Sequence, residues 1–313
     1  MNDKLFDKIK ITKINPEISL ENGVCVAVGM FDGVHFGHRA MLFSLIRESK
    51  RIDLPSAVFT FDVDDNPKNE SKLLTLSDKK IELFAELGID VVFSAAFSDI
   101  KMLSADDFVN HVLYDTLSAR SIVCGYDFRF GKDRLGDVNL IDRLLSEKGV
   151  SVITQEAVLD NEKPISSTLI RSLIANGDVS GANELLGHTY SFRSEIVHGR
   201  KLGRTLGFPT INQPFPSQLV RLKYGVYAVR CNIDGQLYGG VANFGVKPTV
   251  SDDGQVACET YLFDYSGDCY GCVAETEFLE FIREEKRLLS IDELKTQIEQ
   301  DKEIAKKILM RGV

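Results

Sequence analysis

The sequence predicts an α/β domain followed by an all-β domain, and three observations carry that expectation. Through residue 155 short apolar runs alternate with helical patterns, the signature of a parallel sheet covered on both faces. After about residue 187 short strands follow one another across Gly, Asp and Asn turns with no helix between them. The length of 313 residues, at about 150 residues per domain, suits two domains.

In the first half, Val24–Gly29, Ser56–Phe61, Val91–Phe97, Ser121–Cys124 and Ser151–Gln155 have the length and apolar content of buried parallel strands. Between them, residues 37–51, 78–87, 105–117 and 140–148 carry apolar residues at helical spacing. In the second half the predicted strands are Tyr190–Val197, Gly225–Asn232, Leu237–Phe244, Ala257–Phe263 and Cys272–Glu280, separated by turns such as Asp234-Gly235, Asp253-Gly254 and Gly267-Asp268. A final helix is expected over Ile291–Leu309. The expectation is a Rossmann-like parallel sheet in residues 1–186 and a small antiparallel β-barrel with a C-terminal helix in residues 187–313.

Composition excludes several function classes. Hydrophobic residues at 44% and charged residues at 27% are ordinary for a globular chain and argue against disorder. A net charge of −9 argues against a broad basic face for nucleic acid, while a small polyanion remains bindable where a metal ion and local cations neutralise it. No apolar run approaches the roughly 20 residues of a membrane helix, and the charged start MNDKLFDKIK lacks an apolar signal region. Cys269 and Cys272 form a lone CxxC without a second pair at zinc-finger spacing, so the six cysteines read as ordinary reduced thiols. These features together predict a cytoplasmic protein with no nucleic-acid or membrane partner, its oligomeric state left open.

The sharpest motif is Gly29-Met30-Phe31-Asp32-Gly33-Val34-His35-Phe36-Gly37-His38, at a predicted strand-to-helix junction. His35 and His38 are three residues apart, a spacing that aims both rings at one point, and the helix start supplies free N–H groups for phosphate. Two imidazoles with such donors suit charge building on a phosphorus under attack. The plainer reading is a histidine pair satisfying a turn. In Ile165-Ser166-Ser167-Thr168-Leu169-Ile170-Arg171 the hydroxyls cap a helix, and Arg171, one turn in, is a phosphate ligand or a surface arginine. In Gly125-Tyr126-Asp127-Phe128-Arg129-Phe130-Gly131 the aromatics form a pocket for a planar ring or fill the core.

In the second half, the Gly-rich basic stretch 199–208 runs into Pro209-Thr210-Ile211-Asn212. Its glycines open backbone N–H groups to phosphate, and the oxygens of Thr210 and Asn212 are hard ligands suited to Mg²⁺. A Walker A loop is excluded by spacing and by Arg204 where Lys is needed. Glu259, within a strand, is a solvent-face carboxylate by strand alternation or a general base.

The HxGH and later ISSTxxR resemble the nucleotidyltransferase superfamily, and GYDFRFG narrows the resemblance to the prokaryotic bifunctional riboflavin kinase / FAD synthetase family. GRTLGFPTIN, Gly240–Gly245 with Lys247-Pro248-Thr249, Glu259–Phe263 and Phe281-Ile282-Arg283-Glu284-Glu285 resemble its flavokinase half, in family order. The resemblance implies two ATP-dependent steps, riboflavin to FMN and FMN to FAD with release of pyrophosphate, with Mg²⁺ or a similar divalent cation. It implies that Gly29, Phe31, Asp32, Gly33, His35 and His38, with Ser166, Ser167, Thr168 and Arg171, hold the adenylating ATP. Asp127, Phe128 and Phe130 would hold its flavin. On the kinase side it implies ATP at Gly199, Lys201, Gly203, Gly207, Pro209, Thr210 and Asn212, the metal at Thr210 and Asn212, and flavin at Glu259 and Arg283. His35, His38, Arg171 and Glu259 would be catalytic. One departure is the run Phe61-Asp62-Val63-Asp64-Asp65-Asn66-Pro67, longer than the family's acidic turn and without its histidine. It makes a riboflavin kinase with a weakened adenylyltransferase half the alternative.

Overall fold

The computed structural model describes residues 9–62, 72–199, 207–246, 256–286 and 290–311. The chain forms two units. The first ends at Ser166, and the second comprises 71–75 and everything from Ser167 onward.

The first unit contains strands β1 (Ile9–Lys13), β2 (Val24–Val28), β3 (Ser56–Asp62), β4 (Val91–Ala96), β5 (Ala119–Gly125) and β6 (Ser151–Gln155). They lie in the order β1-β4-β3-β2-β5-β6, parallel except that β1 runs antiparallel to β4. Every residue of β2 is buried, as a central strand covered on both faces requires. Helices α1 (Phe36–Ile52) and α2 (Ser77–Glu86) belong to this unit. So do α3 (Ala105–Asp107, continuing as π-wound turns over Phe108–Thr116) and α4 (Val138–Leu145). Two apolar layers result. One gathers Phe59, Phe93, Phe108 and Ile122, and the other Leu42, Leu45, Phe84 and Val123.

From β2 the chain builds outward through β3 and β4, then returns to place β5 on the opposite side of β2. The reversal between β2 and β5 is the point where open α/β sheets leave a crevice at their carboxyl ends. The HxGH segment follows β2 and the GYDFRFG segment leaves β5, so both rim that crevice. A small hairpin of β7 (Leu159–Asp160) and β8 (Lys163–Pro164) completes the unit.

The second unit opens with α5 (Ser167–Asn176) and α6 (Val179–Leu186), helices that stand before the strands the sequence predicted. Its sheet contains β9 (Ser191–Glu195), β10 (Thr210–Pro214), β11 (Gly225–Ile233), β12 (Gln236–Val246), β13 (Val256–Leu262) and β14 (Val273–Arg283). The order is β10-β13-β12-β11-β14-β9 and all pairings are antiparallel. The sheet curls until its two edges meet, where the Val197 N–H donates to the Asn212 carbonyl at 2.8 Å. Phe192, Phe215, Phe244, Phe278 and Tyr227 pack ring to ring on the concave side. On the opposite face, helix α7 (Ile291–Arg311) sets Ala305 and Ile308 against Val226, Ala228, Val241 and Phe263.

Candidate active sites

At the β2–α1 junction, His35 occupies the N-cap position of α1 and its Nδ1 accepts from the His38 N–H at 3.4 Å. The two rings stack with centroids 3.7 Å apart and planes 18° apart. Gly37 makes this possible, because a Cβ there would press within 3.1 Å of the His35 ring. His35 is buried, and His38 Nδ1 is a buried atom without a hydrogen-bond partner among the described residues. Burial first, then the nearby His35 and Lys80, hold the His38 imidazole well below its usual 6.5. The ring is therefore neutral at physiological pH and keeps one N–H to donate.

The junction is strained. Phe31 (φ 51°) and Val34 (φ 40°) both take left-handed backbone, which costs about 1–2 kcal/mol at each non-glycine residue. Hydrogen bonds from backbone and side chain hold it. Gly29 N–H donates to Phe59 O at 3.1 Å, Val34 N–H to Phe31 O at 3.1 Å, and Thr60 Oγ1 to Met30 O at 3.1 Å. Phe31 is fully buried, its ring edge-on to both His38 and Phe84. Asp32 is also buried. Sequence reasoning missed Lys80, which reaches this junction from α2 and is only 4% exposed.

In the segment after β5, Asp127 is exposed and Phe128 half-buried, stacked on Phe130 at 5.3 Å. Phe130 itself is a core residue against Phe108, locked by paired backbone bonds to Gly136. Ser166 ends the first unit, whereas Ser167, Thr168 and Arg171 lie on α5 in the second. Thr168 is exposed, and Arg171 Nε donates to the Lys72 carbonyl at 2.6 Å. Of the run Asp62–Pro67, only Asp62 is described, accepting hydroxyl bonds from Ser77 and Ser94.

In the second unit, strand register assembles a row. Glu259 on β13 lies directly opposite Asn212 on β10 and Asn243 on β12. Two residues along β12, Val241 packs under α7, so alternation puts the row on the same convex face. Glu259 is half-exposed there, as strand alternation leads one to expect. Asn212 is buried, and its Oδ1 has no hydrogen-bond partner among the described residues. Gly199 permits this, since a Cβ at that position would overlap the Asn212 carboxamide. Thr210, half-buried, stands two residues before Asn212 on the same face. The orphaned Asn212 amide oxygen and the Thr210 hydroxyl, on one face of β10, are donors that fit a hard divalent cation, with the Glu259 carboxylate on the adjacent strand. Asn243, which sequence reasoning did not single out as a site residue, donates to Glu285 at 3.2 Å.

Arg283, at the end of β14, gives Nε and Nη2 to the two carboxylate oxygens of Asp301 on α7, at 2.9 and 2.7 Å. Gln297 adds a bond to the same carboxylate, and Asp301 is only 2% exposed. Gly207 and Pro209 are described residues before β10, while Lys201, Gly203 and residues 247–249 lie outside the described residues.

A family model described as FAD synthetase matches residues 17–169, and one described as riboflavin kinase matches residues 186–309. The bifunctional riboflavin kinase/FMN adenylyltransferase of Pseudomonas fluorescens is 37% identical over 287 residues, covering 90% of this chain and 92% of that protein. That of Bacillus subtilis (strain 168) is 35% identical over 289 residues, covering 90% of each. A crystal structure named macrolide-efflux protein from Streptococcus pneumoniae superposes with a TM-score of 0.83 at 28% identity, over 93% of this chain and 96% of that one.

Proposed function

The chain belongs to the bifunctional riboflavin kinase/FMN adenylyltransferase family, and we propose how its residues divide the two reactions. It phosphorylates riboflavin with ATP to give FMN and adenylylates FMN with a second ATP to give FAD. In our reading the functional modules are residues 1–186 and 187–313. The FAD synthetase match ends at 169, inside α5, and the riboflavin kinase match begins at 186, the last residue of α6.

For the kinase, Glu259 accepts the proton of the riboflavin 5′-hydroxyl. The oxygen attacks the γ-phosphorus and ADP leaves. Thr210 and Asn212 hold Mg²⁺ or a similar cation, which when bound neutralises charge on the ATP phosphates. The family resemblance assigns Gly199, Lys201, Gly203, Gly207 and Pro209 to the ATP of this step. Arg283, fixed by Asp301, bounds the flavin side. The observation that supports this assignment is the Asn212–Glu259–Asn243 register row, which puts a carboxylate beside a buried, unsatisfied amide oxygen.

For FAD formation, the FMN phosphate attacks the α-phosphorus of ATP and pyrophosphate leaves. FMN phosphate is already a nucleophile at neutral pH, so no protein base is needed. His38 donates a neutral imidazole N–H to the charge that develops, with His35 and the N-terminus of α1 beside it. Gly29, Phe31, Asp32 and Gly33 shape the cradle through their backbone. The family resemblance assigns Ser166, Ser167, Thr168 and Arg171 to the pyrophosphate end of that ATP. Asp127 and Phe128 meet the flavin, with Phe130 holding Phe128 from beneath.

We place the protein in the cytoplasm, with no nucleic-acid partner. No helix among the described residues is long and apolar enough to cross a membrane. The test incubates the protein with riboflavin, ATP and Mg²⁺ and separates FMN from FAD chromatographically. Glu259→Gln should stop FMN formation and leave conversion of added FMN to FAD intact. Loss of both steps would break the division between modules.

A further inference from the structure

We infer that Lys80 is a positioning residue for FAD formation, its buried ammonium fixing the Met30 carbonyl and through it the strained turn that presents His38. The inference rests on the reading of the His35–His38 junction given above.

Lys80 belongs to α2, whose buried residues are Lys80, Leu83 and Phe84. A lysine on the apolar stripe of a helix is unusual, because removing an ammonium from water is costly unless oxygens replace the water. Here they do. Lys80 Nζ lies 3.2 Å from Thr60 Oγ1, 3.2 Å from Phe61 O and 3.4 Å from Met30 O. These acceptors stand at the carboxyl ends of β2 and β3, on the rim of the crevice. The Met30 carbonyl thus receives both Thr60 and Lys80. It belongs to the peptide directly before Phe31, the first left-handed residue of the turn. Phe31 in turn sets its ring against His38 at 5.4 Å. The chain of contact runs from ammonium to carbonyl, to strained backbone, to ring, to imidazole. Lys80 is also among the charges that hold His38 neutral, so its influence on that ring is electrostatic as well as steric.

A merely structural lysine and a simple phosphate-binding cation predict different kinetics from a residue that aims the imidazole. Misaiming a transition-state donor lowers kcat, whereas losing a ground-state phosphate contact raises KM. The experiment measures FAD formation from FMN at varied ATP in the full-length Lys80→Met variant, with FMN formation from riboflavin as the reference reaction in the same preparation. The expected result is a kcat for FAD lowered about 10- to 100-fold, KM for ATP within about threefold, and FMN formation unchanged. An unchanged kcat, or a change confined to KM, overturns the inference. If Lys80→Met does not fold, Thr60→Val decides. It removes the other side-chain donor to Met30 O and should lower kcat about 3- to 10-fold at constant KM, and a full kcat overturns the inference. His38→Ala run in parallel separates two failures. Full FAD formation by that variant brings down the reading of the junction and this inference with it. Loss there beside a wild-type Lys80→Met overturns the inference alone.

Discussion

Replacing Asp301 by Asn tests whether α7 anchors the flavin side of the kinase through Arg283. The substitution keeps volume and removes one charge from a pair in which Asp301 is 2% exposed and both carboxylate oxygens are engaged. Breaking a buried pair from one side costs about 3–5 kcal/mol, because the remaining charge stays in place uncompensated. An Asn that retains one acceptor should fall at the lower end, about 3 kcal/mol. The second unit spans roughly 150 residues, and at about 2.1 cal/mol/K per residue its unfolding entropy is about 0.3 kcal/mol/K, so the transition should drop by about 10 °C. Calorimetry on the full chain reads that shift, and the KM for riboflavin should rise as Arg283 loses its fixed geometry. FMN-to-FAD conversion should remain at its wild-type rate below the transition. A second-unit transition within about 2 °C of wild type would refute the reasoning, since it would mean that solvent already screens the pair.

Other expectations follow from the same geometry. His38→Ala should lower FAD formation roughly 10²- to 10³-fold and leave FMN formation unchanged, read by separating the two products. Asn212→Ala should raise the Mg²⁺ concentration needed for half-maximal FMN formation, and a titration identical to wild type would remove Asn212 from the metal site. Burial keeps His38 below 6.5 when folded, so the unfolded chain binds the proton first as pH falls. That contribution to stability is fully present above about pH 6.5 and is lost as pH drops below it, which imidazole NMR and denaturation at about pH 5.5 and 7.5 would check. Burial also pushes the Cys25, Cys124 and Cys258 thiols up to about 12 and Cys231 to about 11. A disulfide reagent should therefore label the native chain mainly at half-buried Cys272 and reach all six cysteines only on unfolding.

The parallel core was legible because its strands are apolar runs between amphipathic helices, and β2, β3 and β6 appear within a residue of their expected ends. β1 was not, since IKITK alternates with lysines and pairs only at a sheet edge. The π-wound turns of Phe108–Thr116 share the composition of an α-helix, so periodicity could not distinguish them. β10 is concealed differently, because Thr210–Pro214 lies between prolines and holds a single large apolar residue, Ile211, too little for a strand signal. Among site residues, the histidine pair follows from spacing alone, but its strained turn depends on contacts from β3 and α2. Lys80 left a signal: it falls on the stripe with Leu83 and Phe84, where a charge is out of place. Phe130 shows the opposite limit, since a motif aromatic facing a ligand and one filling the core are the same letter. Glu259 needed the register, because only strand pairing reveals which amides flank it.

The seam of the barrel meets at Asn212, whose main chain receives the Val197 amide while its side chain is the proposed metal ligand. In that reading one residue would serve as both latch and ligand. Whatever ligates its side chain also raises the cost of unlatching the strands, and by thermodynamic reciprocity a chain held shut binds that ligand more tightly. Nucleotide and metal together should slow hydrogen exchange at Val197, making that single amide a reporter of occupancy.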